Sequence, residues 1–461
     1  MWVLILALLV LVSACSSPST TDTADESGSQ PDSTTSTTEG SATTSATADV
    51  SPITVTVWVN PSGADSIQQR LVDEFNAENT DIQIEFTPTP NIGEAINISR
   101  VAGEGPDVWS GFPPVPAKDA GYALILTDLV SDETIEAYGD YIDGNYENVE
   151  NGEFWTVPRS FVTIRLVYNK DLFRLAGLDP EQPPTTFSEL RSASAAITEA
   201  AGGEAFGFAL SYAWGGVWTL QIEPLVLAGN PDITGEGIYN RRTRQFEPQH
   251  YASAIELYRQ LIADGSMFPG VSSLDRDQTR AAFAAGDVAM YVGTTLEVGV
   301  LNDQLATDVD WAAARIPIPD GQEFLHTIGT AGDYFFVNPA SENIEAAVRV
   351  WEFFNGLEVI SALTEGGQIF PIHSGVAADS GPADSVQYGQ FFPTESDVQW
   401  PQRPGDRVEI RGENFRQAIN RLILSDEDLD SELATLANTY NEALQAAVEA
   451  GDVELSLYDL P

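Results

Sequence analysis

The chain has 461 residues, 69 of them Asp or Glu and 21 Lys or Arg, giving a formal net charge of −48. So acidic a chain repels phosphate backbones, which excludes nucleic acid as a partner, and it stays soluble by self-repulsion. The lone cysteine, Cys15, permits neither an internal disulfide nor a thiolate metal cluster, and no cofactor is expected. The acids are spread along the whole chain and lysine occurs only at Lys118 and Lys170. That pattern resembles adaptation to salty water more than an acidic cleft for a cation.

Met1 to Val12 is almost wholly apolar, too short for the ~20 residues of a spanning helix but the length of a secretory core. Val12-Ser13-Ala14-Cys15 then matches the bacterial lipoprotein signal, cut before a cysteine whose sulfur carries lipid. No Lys or Arg precedes the apolar run, a departure that leaves the start codon open. Residues 1–14 are therefore expected to be a leader. Residues 15–51, rich in Ser, Thr, Asp and Glu without apolar periodicity, are expected to be a disordered lipidated tether. At ~5–6 Å × √n, roughly 36 residues reach ~30–35 Å.

From Ile53 onward roughly 400 residues remain, enough for two lobes. Ile53–Val59 alternates β-branched residues and predicts a strand. Ile67, Leu71 and Phe75 mark a helix, and Asp81–Phe86 alternates again, giving a βαβ unit with parallel strands. Gly105-Pro106-Asp107-Val108-Trp109 reads as a short buried strand. Val162, Ile164, Leu166 and Tyr168 predict one strand, followed by a helix from Asn169 to Gly177. Thr186-x-x-Glu189 is a capping box. Further helices are predicted over Ala252–Ala263 and Asp277–Ala285, with a strand at Val288–Val292. Ser341 should cap a helix carrying Ile344, Val348 and Trp351, and Leu433, Ala437, Tyr440 and Leu444 form a C-terminal stripe. Alternating strands and helices mean an α/β fold.

Enzyme motifs are few. There is no GxSxG, HExxH or GxxxxGK, and the three histidines are scattered. Asp426, Asp428 and Asp430 imitate a calcium loop, but Ser431 and Ala437 replace the needed Gly and Glu, so this is a charged helix start. Tryptophan instead stands where strands give way to loops, at Trp58, Trp109, Trp155, Trp214, Trp218 and Trp400. Aromatic faces stack on the C–H faces of sugars, in pockets that are mostly apolar with a few polar groups. Trp311 and Trp351 read as core.

Five segments in order resemble one family. They are VPRSFVTIRLVYNKDLFRLAGL with PPTTFSEL, GPDVW at Gly105, FAAGDVAMYVG at Phe283, RIPIPDG at Arg315 and the run from Gly329. The resemblance is to family 1 of the extracellular solute-binding proteins, the sugar-binding lipoproteins of ABC importers related to maltose-binding protein. It implies a two-lobed α/β periplasmic-binding-protein-like fold with hinge crossings and an interlobe ligand cleft. One lobe would comprise residues 53–161 plus 315–355, the other 162–314 plus 356–461. It also implies solute contacts at Trp58, Asn60, Asp107, Trp109, Arg159, Tyr212, Trp214, Trp218, Thr294, Thr295, Gly329, Thr330, Trp400 and Arg403. Thr294 and Thr295 stand where many sugar binders keep an aromatic residue, a departure from the pattern. The expected partners are a small solute, most simply a mono- or oligosaccharide, the permease subunits of an ABC transporter, and the membrane through lipid on Cys15. The chain is expected to act as a monomer outside the cytoplasm and not as an enzyme. Open alternatives are a polyamine or glycerol phosphate type of solute, and a surface glycosidase.

Overall fold

The computed structural model of the chain describes residues 51–62, 64–111, 113–143, 147–230, 232–234, 238–382, 385–399 and 403–459. The leader, Cys15, the tether up to residue 50 and Trp400 lie outside these residues. The elements that shape the described part are, in chain order, β1 (Ile53–Val59), α1 (Asp65–Glu78), β2 (Ile82–Pro88), α2 (Ile92–Val101) and β3 (Val108–Ser110). Next come β4 (Pro158–Val162), β5 (Ile164–Asn169), α3 (Phe187–Ala200), α4 (Ala252–Ala263), α5 (Arg276–Ala284), β6 (Met290–Thr294) and β7 (Trp311–Ala314). The chain closes with β8 (Thr327–Val337), α6 (Ile344–Asn355), α7 (Leu357–Glu365), β9 (Asp397–Gln399), α8 (Phe415–Ile423) and α9 (Leu429–Ala450).

The first lobe grows from the βαβ unit. Strand β1 pairs in parallel with β2 from Ile53–Ile82 to Val59–Pro88, and with β3 at Val57–Val108 and Trp58–Trp109. Helix α1 makes the crossover. The end of β8 runs antiparallel to β3, and Val55, Val57, Val108, Phe335 and Val337 pack with Trp351 and Phe354 of α6. Trp351 is fully buried and its indole N–H donates to the Phe335 carbonyl at 2.7 Å, which satisfies its one polar atom. Helix α6 begins with Asn343 at its N-cap, and not with Ser341 as the sequence predicts. The Ser341 hydroxyl is instead spent on the Asp107 carboxylate at 2.6 Å.

In the second lobe β5 lies between β6 and β7, antiparallel to both. All six residues of β5 are buried because apolar clusters cover both faces, one holding Ile164, Leu166 and Tyr168 and the other Val167. Arg165 survives in this strand through paired bonds to Asp397 at 2.6 and 2.8 Å, whose side chain is itself 1% exposed. Leu433, Tyr440 and Leu444 of α9 join the core, together with Leu436, while Ala437 sits at its margin. Asn169 caps the next helix through the N–H groups of Asp171 and Leu172. At Thr186 only half the box forms, since Glu189 reaches back to Thr185. Helix α5 starts one residue earlier than predicted because Asp275 and Gln278 make a complete capping box.

The strand predicted through Val162–Tyr168 is two strands. It breaks at Thr163, where the chain leaves one sheet for the other. Before the break β4 pairs with β8, and after it β5 pairs with β6 and β7. The Thr163 N–H donates to Thr295 Oγ1 at 3.0 Å and its hydroxyl donates to the Phe391 carbonyl at 2.6 Å, so the break is pinned. Two more extended segments pass the same place. Strand β8 pairs in turn with β9, β4 and β3 along its 11 residues. Residues 370–372 lie along β4, with Phe161 N–H to Phe370 O at 2.9 Å and Ile372 N–H to Arg159 O at 3.2 Å. Two α/β lobes are thus joined by three extended crossings.

Packing divides the chain differently from the expected breaks at 315 and 355. Ile316, Ile318 and Ile328 belong to the second lobe's core. Val359, Ile360 and Leu363 of α7 pack with Ala64 and Leu71 of the first lobe. The breaks follow the crossings themselves, because a strand changes cores only where it changes sheets.

Candidate functional site

Strands β1 and β3 of the first lobe end side by side at Val59 and Ser110, and open α/β sheets bind ligands beyond such carboxyl ends. Asn60 is the next residue. Its N–H donates to Ser110 Oγ at 3.1 Å, while its exposed side-chain amide has no partner among the described residues. Gly111 adopts φ +94°, and a Cβ there would meet Ile92 at 2.9 Å and Asn60 at 3.3 Å, so glycine fixes the close approach of the two loops. Trp58 is half-buried at the edge of a cluster containing Trp109, Trp155 and Phe336.

Two expected contacts on this lobe are structural. Trp109 is 2% exposed and stacked on Phe336 at 4.6 Å between centroids, leaving its ring closed to a solute. Asp107 lies three residues before the end of β3, ~10 Å back at the rise of a strand. Its carboxylate accepts from Thr56 N–H and Thr56 Oγ1, both at 2.8 Å, and from Ser341. These bonds lock β1, β3 and the start of α6 together.

At the crossings, Arg159 is 1% exposed and fully engaged. Its Nε donates to Asp333 Oδ2 at 2.9 Å and its Nη1 to the Phe354 carbonyl at 3.0 Å, and the guanidinium lies 4.3 Å from the centroid of the Phe335 ring. Arg159 therefore clamps the crossing, its guanidinium spent on Asp333, Phe354 and Phe335 where a solute contact was expected. Gly329 pairs with Gln399, and a Cβ there would come within 2.4 Å of the Phe161 ring. Thr330 is half-buried opposite Val162, its hydroxyl donating to the Ala331 carbonyl at 2.9 Å. Thr294 and Thr295 are 5% and 1% exposed. Thr294 pairs with Ile164 and Thr295 holds Thr163, so both serve the crossing instead of facing a ligand.

In the second lobe residues 206–210 run parallel to β6, with Ala209 N–H donating to Met290 O at 2.9 Å. Tyr212–Trp218 therefore emerges at the carboxyl end of that sheet. Trp218 is 2% exposed and edge-on to Tyr251, a core residue contrary to expectation. Tyr212 and Trp214 are half-buried, and partial burial pushes the Tyr212 phenol up from its ordinary value. The Trp214 ring lies so near Gly216 that an added Cβ would come within 2.4 Å, and the Arg276 guanidinium rests over it at 4.9 Å from the centroid.

Arg403 is half-buried beside the short 3-10 turn Pro404–Arg407. Arg407 bonds Glu150 at 2.9 Å, and since Val408 packs in the second core and Phe154 in the first, this ion pair links the lobes. Lys118 bonds the same carboxylate and lies 5.2 Å from the centroid of the Trp155 ring. Sequence reasoning missed Arg276 and Arg407. Both act through residues about 60 and 257 positions away, and no local motif marks them.

Among the described residues no group of three His, Cys, Asp or Glu side chains is placed to hold a metal, and no helix is long and apolar enough to cross a membrane. An open groove of about 960 Å³ lies between α3 and α4, but no crossing residue lines it and its Arg191 is already paired with Asp264.

The sequence model of the bacterial extracellular solute-binding proteins matches residues 60–357, well over half of the chain. The chain belongs to that family. A putative binding protein of Brucella abortus is 26% identical over 267 residues, 54% of this family member and 60% of the relative, so the match spans about three-fifths of that protein's length. The sn-glycerol-3-phosphate-binding periplasmic protein UgpB of Pectobacterium atrosepticum is 28% identical over 33% of the chain and 35% of the relative. The maltotriose-binding protein of Pyrococcus abyssi is 22% identical over 73% and 70%. Among solved structures, the GacH receptor of Streptomyces glaucescens, studied with acarbose, superposes with TM-score 0.67 at 19% identity, covering 86% of this chain and 99% of that one. An ABC transporter solute-binding protein of Thermotoga lettingae bound to α-D-tagatose does so with TM-score 0.67 at 18% identity, covering 85% and 100%. These likenesses establish the two-lobed fold.

Proposed function

We propose that the chain is the capture subunit of an ABC importer, taking a carbohydrate between its lobes by hinge closure and handing it to permease subunits. The observation that carries this is the hinge. Among the described residues the chain passes between the two lobes in three extended segments, at the Thr163 break, along β8 and at residues 370–372. Asn60 and Thr330 would meet sugar hydroxyls, Trp58 and Tyr212 would offer ring faces, and Arg403 would add a further polar contact. Lipid on Cys15 would hold the monomer at the outer face of the membrane. No catalysis is assigned, and ATP hydrolysis would come from the partners.

The test titrates the full-length chain in detergent with a sugar panel, reading tryptophan fluorescence, melting temperature and the radius of gyration. One sugar should give a saturable signal, a higher melting point and a smaller radius, because a ligand bound only by the folded state stabilises it. Sustained release of reducing ends would replace capture by glycosidase action. A second reading, a glycerol phosphate type of solute, is favoured by the UgpB relatives. Glycerol 3-phosphate therefore belongs in the panel.

A further inference from the structure

We infer that the solute carries an anionic group, a carboxylate or a phosphate, and that Arg276 beside Trp214 receives it. The inference rests on the capture reading above and narrows its ligand. In a chain with 69 acids and 21 bases, a guanidinium has carboxylates to spare. Arg241 and Arg259 donate to backbone carbonyls and Arg100 and Arg315 lie over rings, whereas Arg165, Arg174, Arg191, Arg242, Arg280 and Arg421 have a carboxylate at hydrogen-bond distance. Arg276 does not. The nearest carboxylate, Asp277, lies 3.6 Å from its Nε, beyond a hydrogen bond, with a side chain 81% exposed to water.

The other candidate acceptor is taken. Glu297 accepts from Arg280 at 2.9 and 2.7 Å and from the Tyr291 hydroxyl at 2.8 Å. That arrangement is closed, since both oxygens of Glu297 are engaged and all three residues are buried. Arg276 is left outside it with its side chain 23% exposed, its Nε buried without an acceptor, and no protein acceptor for its Nη atoms among the described residues. Burial and the neighbouring charge of Arg280 pull its pKa down and outweigh the opposite pull of Glu297 and Asp277. Arg276 is also the first residue of α5, where the helix dipole adds to the positive potential.

Position completes the argument. Arg276 rests on Trp214, in the segment that emerges at the carboxyl end of the second lobe's sheet, where a solute would enter. With Gly216 against its ring and the guanidinium over it, Trp214 offers little face to a sugar. What this segment displays is a planar cation suited to paired bonds with a carboxylate or phosphate.

The test uses the full-length chain, wild type and Arg276→Gln, at constant ionic strength. Each sugar of the capture panel is titrated beside its uronic acid, and glycerol beside glycerol 3-phosphate, by fluorescence and calorimetry. One anionic member should bind at least about tenfold more tightly than its neutral counterpart, and the variant should lose that preference while keeping the neutral affinity within about twofold. Whether a uronic acid or the phosphate ester wins tells carboxylate from phosphate. Neutral sugars binding as well as their acids would overturn the inference and leave capture standing. So would equal losses for both members in Arg276→Gln, the mark of a prop. Silence from the whole panel would remove the capture reading and this inference with it, whereas glycerol 3-phosphate alone would keep the anion site and remove the sugar.

Discussion

Substituting Asp333 by Ala tests the hinge clamp. The change leaves the Arg159 guanidinium 1% exposed without its carboxylate, keeping only the Phe354 carbonyl, the Phe335 ring and a marginal contact to Gln68 at 3.4 Å. Removing one partner of a buried pair costs ~3–5 kcal/mol. The Asp333 side chain is 34% exposed, so water can reach the vacated position and the expected loss falls to about 2–3 kcal/mol. At about 2.1 cal/mol/K per residue and roughly 400 folded residues, that is a shift of only ~2–4 °C if the lobes melt together. Urea unfolding followed by tryptophan fluorescence and circular dichroism is the sharper assay. Asp333 also sits at φ +59°, which Asn tolerates better than Ala, so Asp333→Asn is the control that keeps an acceptor and should lose about half as much. An Ala variant within about 0.5 kcal/mol of wild type would refute the clamp.

Two further outcomes are expected. Gly329→Ala would drive a methyl to 2.4 Å from the Phe161 ring and 3.1 Å from the Val162 carbonyl, so it should cost ~1–3 kcal/mol, with unchanged stability counting against the packing described. With a net charge of −48, the melting temperature should rise between about 0.05 and 1 M KCl as the screening length shrinks from over 10 Å to about 3 Å. A flat or falling profile would show that self-repulsion is not a significant load on this fold.

Much was legible in the sequence because it is local. Alternation at Ile53–Val59 and Asp81–Phe86 defined a parallel βαβ unit, since side-chain period is a property of the strand itself. Caps at Asn169 and Thr186, and the close of α4 before Gly265 at φ +69°, are likewise short-range chemistry. The family motifs pointed to two lobes for the same reason, being contiguous. What a polar side chain does was not legible, because its partners come from far along the chain. Asp107 looked like a cleft residue and is spent on Thr56 and Ser341, 51 and 234 residues away. Arg159 looked free beside a proline and is held by Asp333, 174 residues on. Trp109, Trp214 and Trp218 were alike in sequence, yet packing against Phe336 and Tyr251 removed two of them and left the third under an arginine. Residue type and spacing determined the elements and their order. Only tertiary structure decided which charges and rings were consumed by folding and which remained to meet a solute, because a hydrogen bond or a ring face can be used once.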